Sequence, residues 1–185
     1  MLSGCISIAI LTALPWSAFP EQTEIPSVET AVEGHARMNY FLMGPKKKGE
    51  GPKAGYGLLV VLPGGSGGRE FNGFCKSIYK QTLGNDWIAA QPIAIRWTDK
   101  QTIIWPTSKN RVSKMEFTTE EFVQKVIVDV SRRHRLDPAR IFLLAWSSGG
   151  PAAYAISLQQ KKLPTGFYIA MSVFRTQWLP ALTEA

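Results

Sequence analysis

Ser147 lies in the segment Arg140-Ile-Phe-Leu-Leu-Ala-Trp-Ser-Ser-Gly-Gly-Pro-Ala-Ala-Tyr154, whose residue types suit a nucleophilic serine. Ile141 to Ala145 is an apolar run without alternation, as expected of a short strand buried on both faces. Trp146-Ser-Ser-Gly-Gly150 follows, and the small residues from Pro151 to Gln159 predict a helix. Strand, sharp turn and helix would expose a hydroxyl at the C-terminal end of a sheet. Glycines would let the helix pass close to the strand before it. The pattern is Gly-x-Ser-x-Gly with Ala145 first, a position that asks only for a small residue. Attack on an acyl carbon is the chemistry such a serine performs. An ordinary Ser/Gly turn would read the same way from these five residues alone.

A second stretch bears on that choice. Tyr56 to Leu62 is another buried strand, and it runs into Pro63-Gly-Gly-Ser-Gly-Gly68. Four glycines in six residues can be a flexible loop. They also suit a backbone that turns tightly and offers N–H groups to a developing oxyanion. A phosphate loop would require a Gly-Lys-Ser/Thr ending, which is missing, and the glycine spacing is not that of a dinucleotide fingerprint.

These two turns need a scaffold. The 185 residues allow one domain, and 45% hydrophobic with 19% charged residues is an ordinary globular composition. The net charge is +7 and the pI about 9.5, but the basic residues are dispersed. Their one run, Lys46-Lys-Lys48, sits among Gly and Pro as a solvated loop, so nucleic acid is not an expected partner. Cys5 and Cys75 form no disulfide framework, and two histidines at no ligand spacing argue against a metal; no cofactor is expected.

Residues 1–20 hold an apolar stretch, Ile6 to Leu14, too short to span a bilayer and the length of a signal-peptide core. Export is the expectation, with an N-terminal strand or tail as the alternative. Residues 21–35 show no clear period and are expected to be a lead-in segment, and 36–185 the domain.

Within the domain, Ala36 to Met43 predicts an edge strand, Glu70 to Leu83 a helix and Trp87 to Ile95 a strand. Arg96 to Phe117 reads as a long loop whose Trp97 and Trp105 either pack on the core or line a cleft; with Trp146 they hint at an apolar or aromatic substrate. Thr118-Thr-Glu-Glu121 is a capping box opening a helix with Phe122, Val123, Val126, Ile127 and Val130 on one face. Asp137-Pro138 breaks the chain before the serine strand, and Gly166 to Met171 is a final strand. Strands alternating with helices predict an α/β fold, a mostly parallel sheet with crossover helices on both faces.

The order of strand, glycine turn, amphipathic helix, Asp137-Pro-Ala-Arg140 and serine turn resembles the α/β-hydrolase family, its single-domain esterases and peptidase-like hydrolases in particular. The resemblance covers roughly residues 36 to 174. It implies hydrolysis of an ester, thioester or amide in a small-molecule or peptide substrate. Ser147 would be the nucleophile, supported by Trp146, Gly149 and Gly150. The N–H of Ser148, with Gly65 or Ser66, would form the oxyanion hole. Pro63 stands where the family usually has histidine.

The family's triad continues with an acid and then a histidine. The 38 residues after Ser147 contain neither Asp nor His, and Glu184 is their only acid. His134 precedes the serine strand, roughly 17–23 Å from Ser147 at 3.3 Å per residue, beyond reach as a base. His35 lies before the first predicted strand, with nothing to bring it round. The expectation is therefore a weakly active or inactive hydrolase, cut short of the family's last strands, whose bare sheet edge invites self-association. The alternative is a short relative that binds ligands without hydrolysing them.

Overall fold

The structure is a computed structural model that describes residues 25–46, 49, 51–159 and 164–179. Residues 1–20, read as a possible signal peptide, and Lys47, Lys48 and Glu184 lie outside the described residues.

Six strands form one sheet in the order β1-β2-β4-β3-β5-β6. They are β1 (Ser27–Val32), β2 (His35–Met43), β3 (Tyr56–Leu62), β4 (Trp87–Pro92), β5 (Leu136–Trp146) and β6 (Gly166–Ala170). β4, β3, β5 and β6 run parallel, while β2 joins β4 antiparallel and β1 joins β2 antiparallel. The crossovers are the helices α1 (Asn72–Thr82), α2 (Thr119–Arg133) and α3 (Gly150–Ser157).

Alternation along the central strands divides the core between two faces. Leu58, Val60, Leu62, Ile88, Ala90, Leu143 and Ala145 pack against α2 and α3. Leu59, Val61, Ala89, Leu144 and Trp146 pack with Cys75 and Tyr79 of α1. Helices thus cover both faces, as the apolar runs of β3 and β5 predict. The stripe of α2 is buried at all five expected positions. Its capping box forms: Thr118 Oγ accepts from Glu121 N–H at 3.1 Å, and Glu121 Oε2 accepts from Thr118 N–H at 2.7 Å.

Four expectations are corrected. Ser27–Val32, read as a lead-in, is the outer strand β1, so β2 is not an edge. A six-residue strand with Glu29 and Thr30 on it carries little periodic signal, and its hairpin partner supplies the pairing. β5 begins at Leu136 rather than after Pro138. Leu136 pairs with Tyr56 and Ile141 with Leu58, so the intervening residues bulge out, where Pro138 needs no ladder partner. Arg140 ties the bulge down through Asp137 (2.9 Å), Asp86 (2.6 Å) and the Gly55 carbonyl (2.9 Å). β4 stops at Pro92, short of Ile95. Lys46 is not a free loop cation: its part-exposed ammonium donates to the carbonyls of Lys80 (3.2 Å) and Leu83 at the C-terminal end of α1, where a cation is favoured.

β6 is the outer strand on the far side, with Tyr168 69% exposed on the α1 face beside the partly exposed Phe142. Among the described residues no helix is long and apolar enough to cross a membrane.

Candidate active site

β3 and β5 are neighbours in the sheet, with Leu62 opposite Ala145. Both predicted turns therefore leave the same end of the sheet from adjacent strands. Ser147 follows β5 directly and has φ +51°, in the left-handed region that non-glycine residues enter at a cost. A tight 3-10 turn, Ser147–Gly149, then leads into α3. The strained residue is exposed.

The turn is held on every side. A Cβ on Gly149 would overlap the Leu62 carbonyl oxygen, and one on Gly150 would overlap Ser172 Oγ. The Ser147 carbonyl accepts from Ser172 Oγ at 2.8 Å and from the Gly150 N–H. Trp146 packs on the opposite face, edge-on to Phe71 (6.3 Å) and Phe74 (5.4 Å).

The glycine turn comes up against this elbow. A Cβ on Gly64 would lie 2.9 Å from Ser147 Cβ and 2.8 Å from Trp146 Cδ1, so only glycine lets the two segments meet. Gly67 N–H closes the turn onto Gly64 O at 3.0 Å, with Gly65 at φ +58°. Ser148 Oγ donates to Gly65 O at 2.9 Å and clamps the two turns together. The N–H groups of Gly65 and Ser66 stand outside the turn's own hydrogen bond, and Ser148 N–H opens a helical turn, where donors lack intrahelical partners. The Ser66 hydroxyl points elsewhere: it donates to Glu70, whose carboxyl is held below its usual range chiefly by that bond, and accepts from Gly68 N–H at 3.1 Å. Pro63 offers its carbonyl to Trp105 Nε1 at 2.9 Å.

Neither histidine reaches the serine. His134 caps α2 and packs edge-on against Tyr56, 6.1 Å away, at the opposite end of β3. Six strand residues on, about 20 Å, lies the site. Burial, then the Arg133 charge, lowers its pKa, the mark of a packed imidazole. His35 begins β2, three strand positions from β5, about 14 Å across the sheet. Among the described residues Ser147 Oγ has no hydrogen-bond partner.

Beside Ser147 opens a cleft of about 480 Å³, within the usual range for small-ligand sites of roughly 300–1,000 Å³. The loop Thr102 to Trp105 forms one wall, and Met171 to Val173, Arg175 and Trp178 form the other. Of the three tryptophans read as a substrate hint, only Trp105 lines it. Trp97 is buried against Phe117, and Trp146 faces α1. Sequence reasoning passed over the segment after β6, which carries no motif; its signal was the pair Arg175 and Trp178 within reach of a strand end.

The same architecture occurs in solved structures. Esterase B from Lactobacillus rhamnosis superposes with a TM-score of 0.52 at 13% identity, over 80% of this chain and 44% of that one. The fold is the α/β-hydrolase fold. TT1662 from Thermus thermophilus shares it with a TM-score of 0.52 at 17% identity, covering 84% of this chain and 62% of that one. The Francisella virulence factor BioJ gives 0.51 at 12% identity, over 79% of this chain and 43% of that one. The chain thus spans about half the length of these neighbours, and less in two of the three. No family model matches the chain, and no curated protein does. In this chain the turn after β5 holds Ser147.

Proposed function

We propose that Ser147 is the nucleophile of an ester-type acyl hydrolase site, with the N–H groups of Ser148 and Gly65 as the oxyanion donors. The observation that carries this reading is the strained, exposed Ser147 at φ +51°, touching a turn that glycine alone permits. Ser66 stays outside the donor pair through its side chain, which is bonded to Glu70, and contributes at most its N–H. The esterase name of a fold neighbour agrees with the reaction class.

Oγ would attack the acyl carbon while its proton passes to a base. The tetrahedral intermediate would collapse as the leaving oxygen takes up a proton and departs as the alcohol. Water would then cleave the acyl–Oγ ester to the acid and free Ser147. With no imidazole within reach among the described residues, proton removal falls to water, and turnover is slow. The expected result is a slow fluorophosphonate adduct by intact mass, absent in Ser147→Ala. Added imidazole, free to enter the open cleft, should speed adduct formation in wild type alone. If folded protein stays unlabelled with and without imidazole, the hydrolase reading fails and the chain is a ligand-binding relative of the fold. That second reading is favoured by one observation, the unpartnered Oγ.

We also propose that β6 associates with a second copy, because among the described residues no strand pairs with its outer edge and Tyr168 is exposed. Sedimentation velocity should show dimers growing with concentration in wild type and not in Tyr168→Lys. A monomer at all concentrations would end the idea.

A further inference from the structure

Among the described residues Arg175 is the one charged side chain lining the cleft beside Ser147; the other walls are Ile103, Ile104, Trp105, Pro151, Met171 and Val173, with hydroxyls from Thr102, Ser148 and Ser172. Its guanidinium lies over the Trp178 ring, 4.8 Å from the centroid. Among the described residues Arg175, like Arg96, Arg111 and Arg135, has no carboxylate partner, and of these four it alone lines the cleft beside Ser147. A guanidinium stacked on an indole keeps its N–H fork in plane, held in place yet free to bond a planar anion through two donors. Arg175 is itself exposed, so its preference for an anionic over a neutral group is that of a charge-assisted pair open to solvent and to salt.

We propose that the cleft takes esters carrying a free carboxylate, such as the monoesters of short dicarboxylic acids. The carboxylate sits on Arg175 over Trp178, and the acyl carbon lies at Ser147. This rests on the reading of Ser147 as nucleophile, but its binding half stands apart from the chemistry. Arg175 is a specificity residue and takes no part in bond making.

The test separates the two. Binding of monobenzyl glutarate and of its neutral methyl ester to Ser147→Ala, followed by calorimetry, probes the subsite without catalysis. The anion should bind about tenfold tighter than the neutral ester, as one charge-assisted pair allows. Adding Arg175→Gln should bring the two level, Arg175→Lys should keep part of the difference, and 0.5 M salt should narrow it. Equal binding of both esters, no saturable binding of either, or a preference that survives Arg175→Gln overturns the carboxylate subsite. Acylation of Ser147 by 4-nitrophenyl butyrate, which carries no carboxylate, read by mass, reports on the nucleophile alone. Its failure beside intact discrimination would sink the hydrolase reading and leave Arg175 its role.

Discussion

Gly149→Ala is expected to destabilise the protein by roughly 3 kcal/mol or more and to abolish labelling of Ser147, because the new methyl would lie 2.3 Å from the Leu62 carbonyl oxygen. The Leu62 carbonyl oxygen belongs to a central ladder strand and cannot step aside without breaking the β3–β5 pairing. The elbow must instead lift, which moves Ser147 away from Gly64. Gly73→Ala makes the contrast. Nothing lies within 4 Å of a Cβ there, on an exposed turn of α1, so the change should stabilise by about 0.5–1 kcal/mol. Thermal melts of the two variants should move in opposite directions, by about 2–4 °C per kcal/mol at this chain length. A Gly149→Ala protein that melts like wild type would show that the close approach at Leu62 does not exist.

The second large effect lies on the far side of the core. Asp129, 3% exposed on α2, accepts from Tyr40 Oη at 2.6 Å, Glu33 N–H at 3.1 Å and Arg133 Nε at 3.0 Å, which fastens the antiparallel β1–β2 hairpin to the helix. Asp129→Ala leaves the fully buried Tyr40 hydroxyl without its acceptor, at a cost of roughly 3 kcal/mol, the lower end for a broken buried pair because Arg133 is part-exposed. Burial works to raise the Asp129 pKa, but the bonds from Tyr40 and Glu33 and the Arg133 charge outweigh it, and the folded value lies below the usual one. A depressed folded pKa adds stability above the unfolded value, about 3.9, and that stability fades as pH falls through the folded value. The gap between wild type and Asp129→Ala in urea melts should therefore hold from pH 5 to 8 and shrink below about pH 4. A gap that does not change with pH would mean that packing, not the charge, fastens the hairpin.

What the sequence by itself determined is what local rules can write. Thr118 and Glu121 cap their own helix three residues apart, and Phe122 to Val130 declare its buried face through a period of 3.6. The apolar runs of β3 and β5 have no polar alternation because both faces are covered, and that alone implies helices on two sides. Ser147 between Trp146 and the glycine pair was legible for the same reason: strand, turn and helix are neighbours in the chain. The tertiary structure decided what depends on distant partners. β1 exists because β2 pairs with it, and the bulge at Asp137–Arg140 holds because Asp86 and Gly55 receive Arg140. Gly64 earns its place only when β3 lies beside β5 and its turn meets Ser147. The cleft takes one wall from the loop before α2 and the other from the segment after β6, some seventy residues apart in the chain. Arg175, a lone cation in an unpatterned tail, acquires a meaning there because the sheet order sets it beside Ser147.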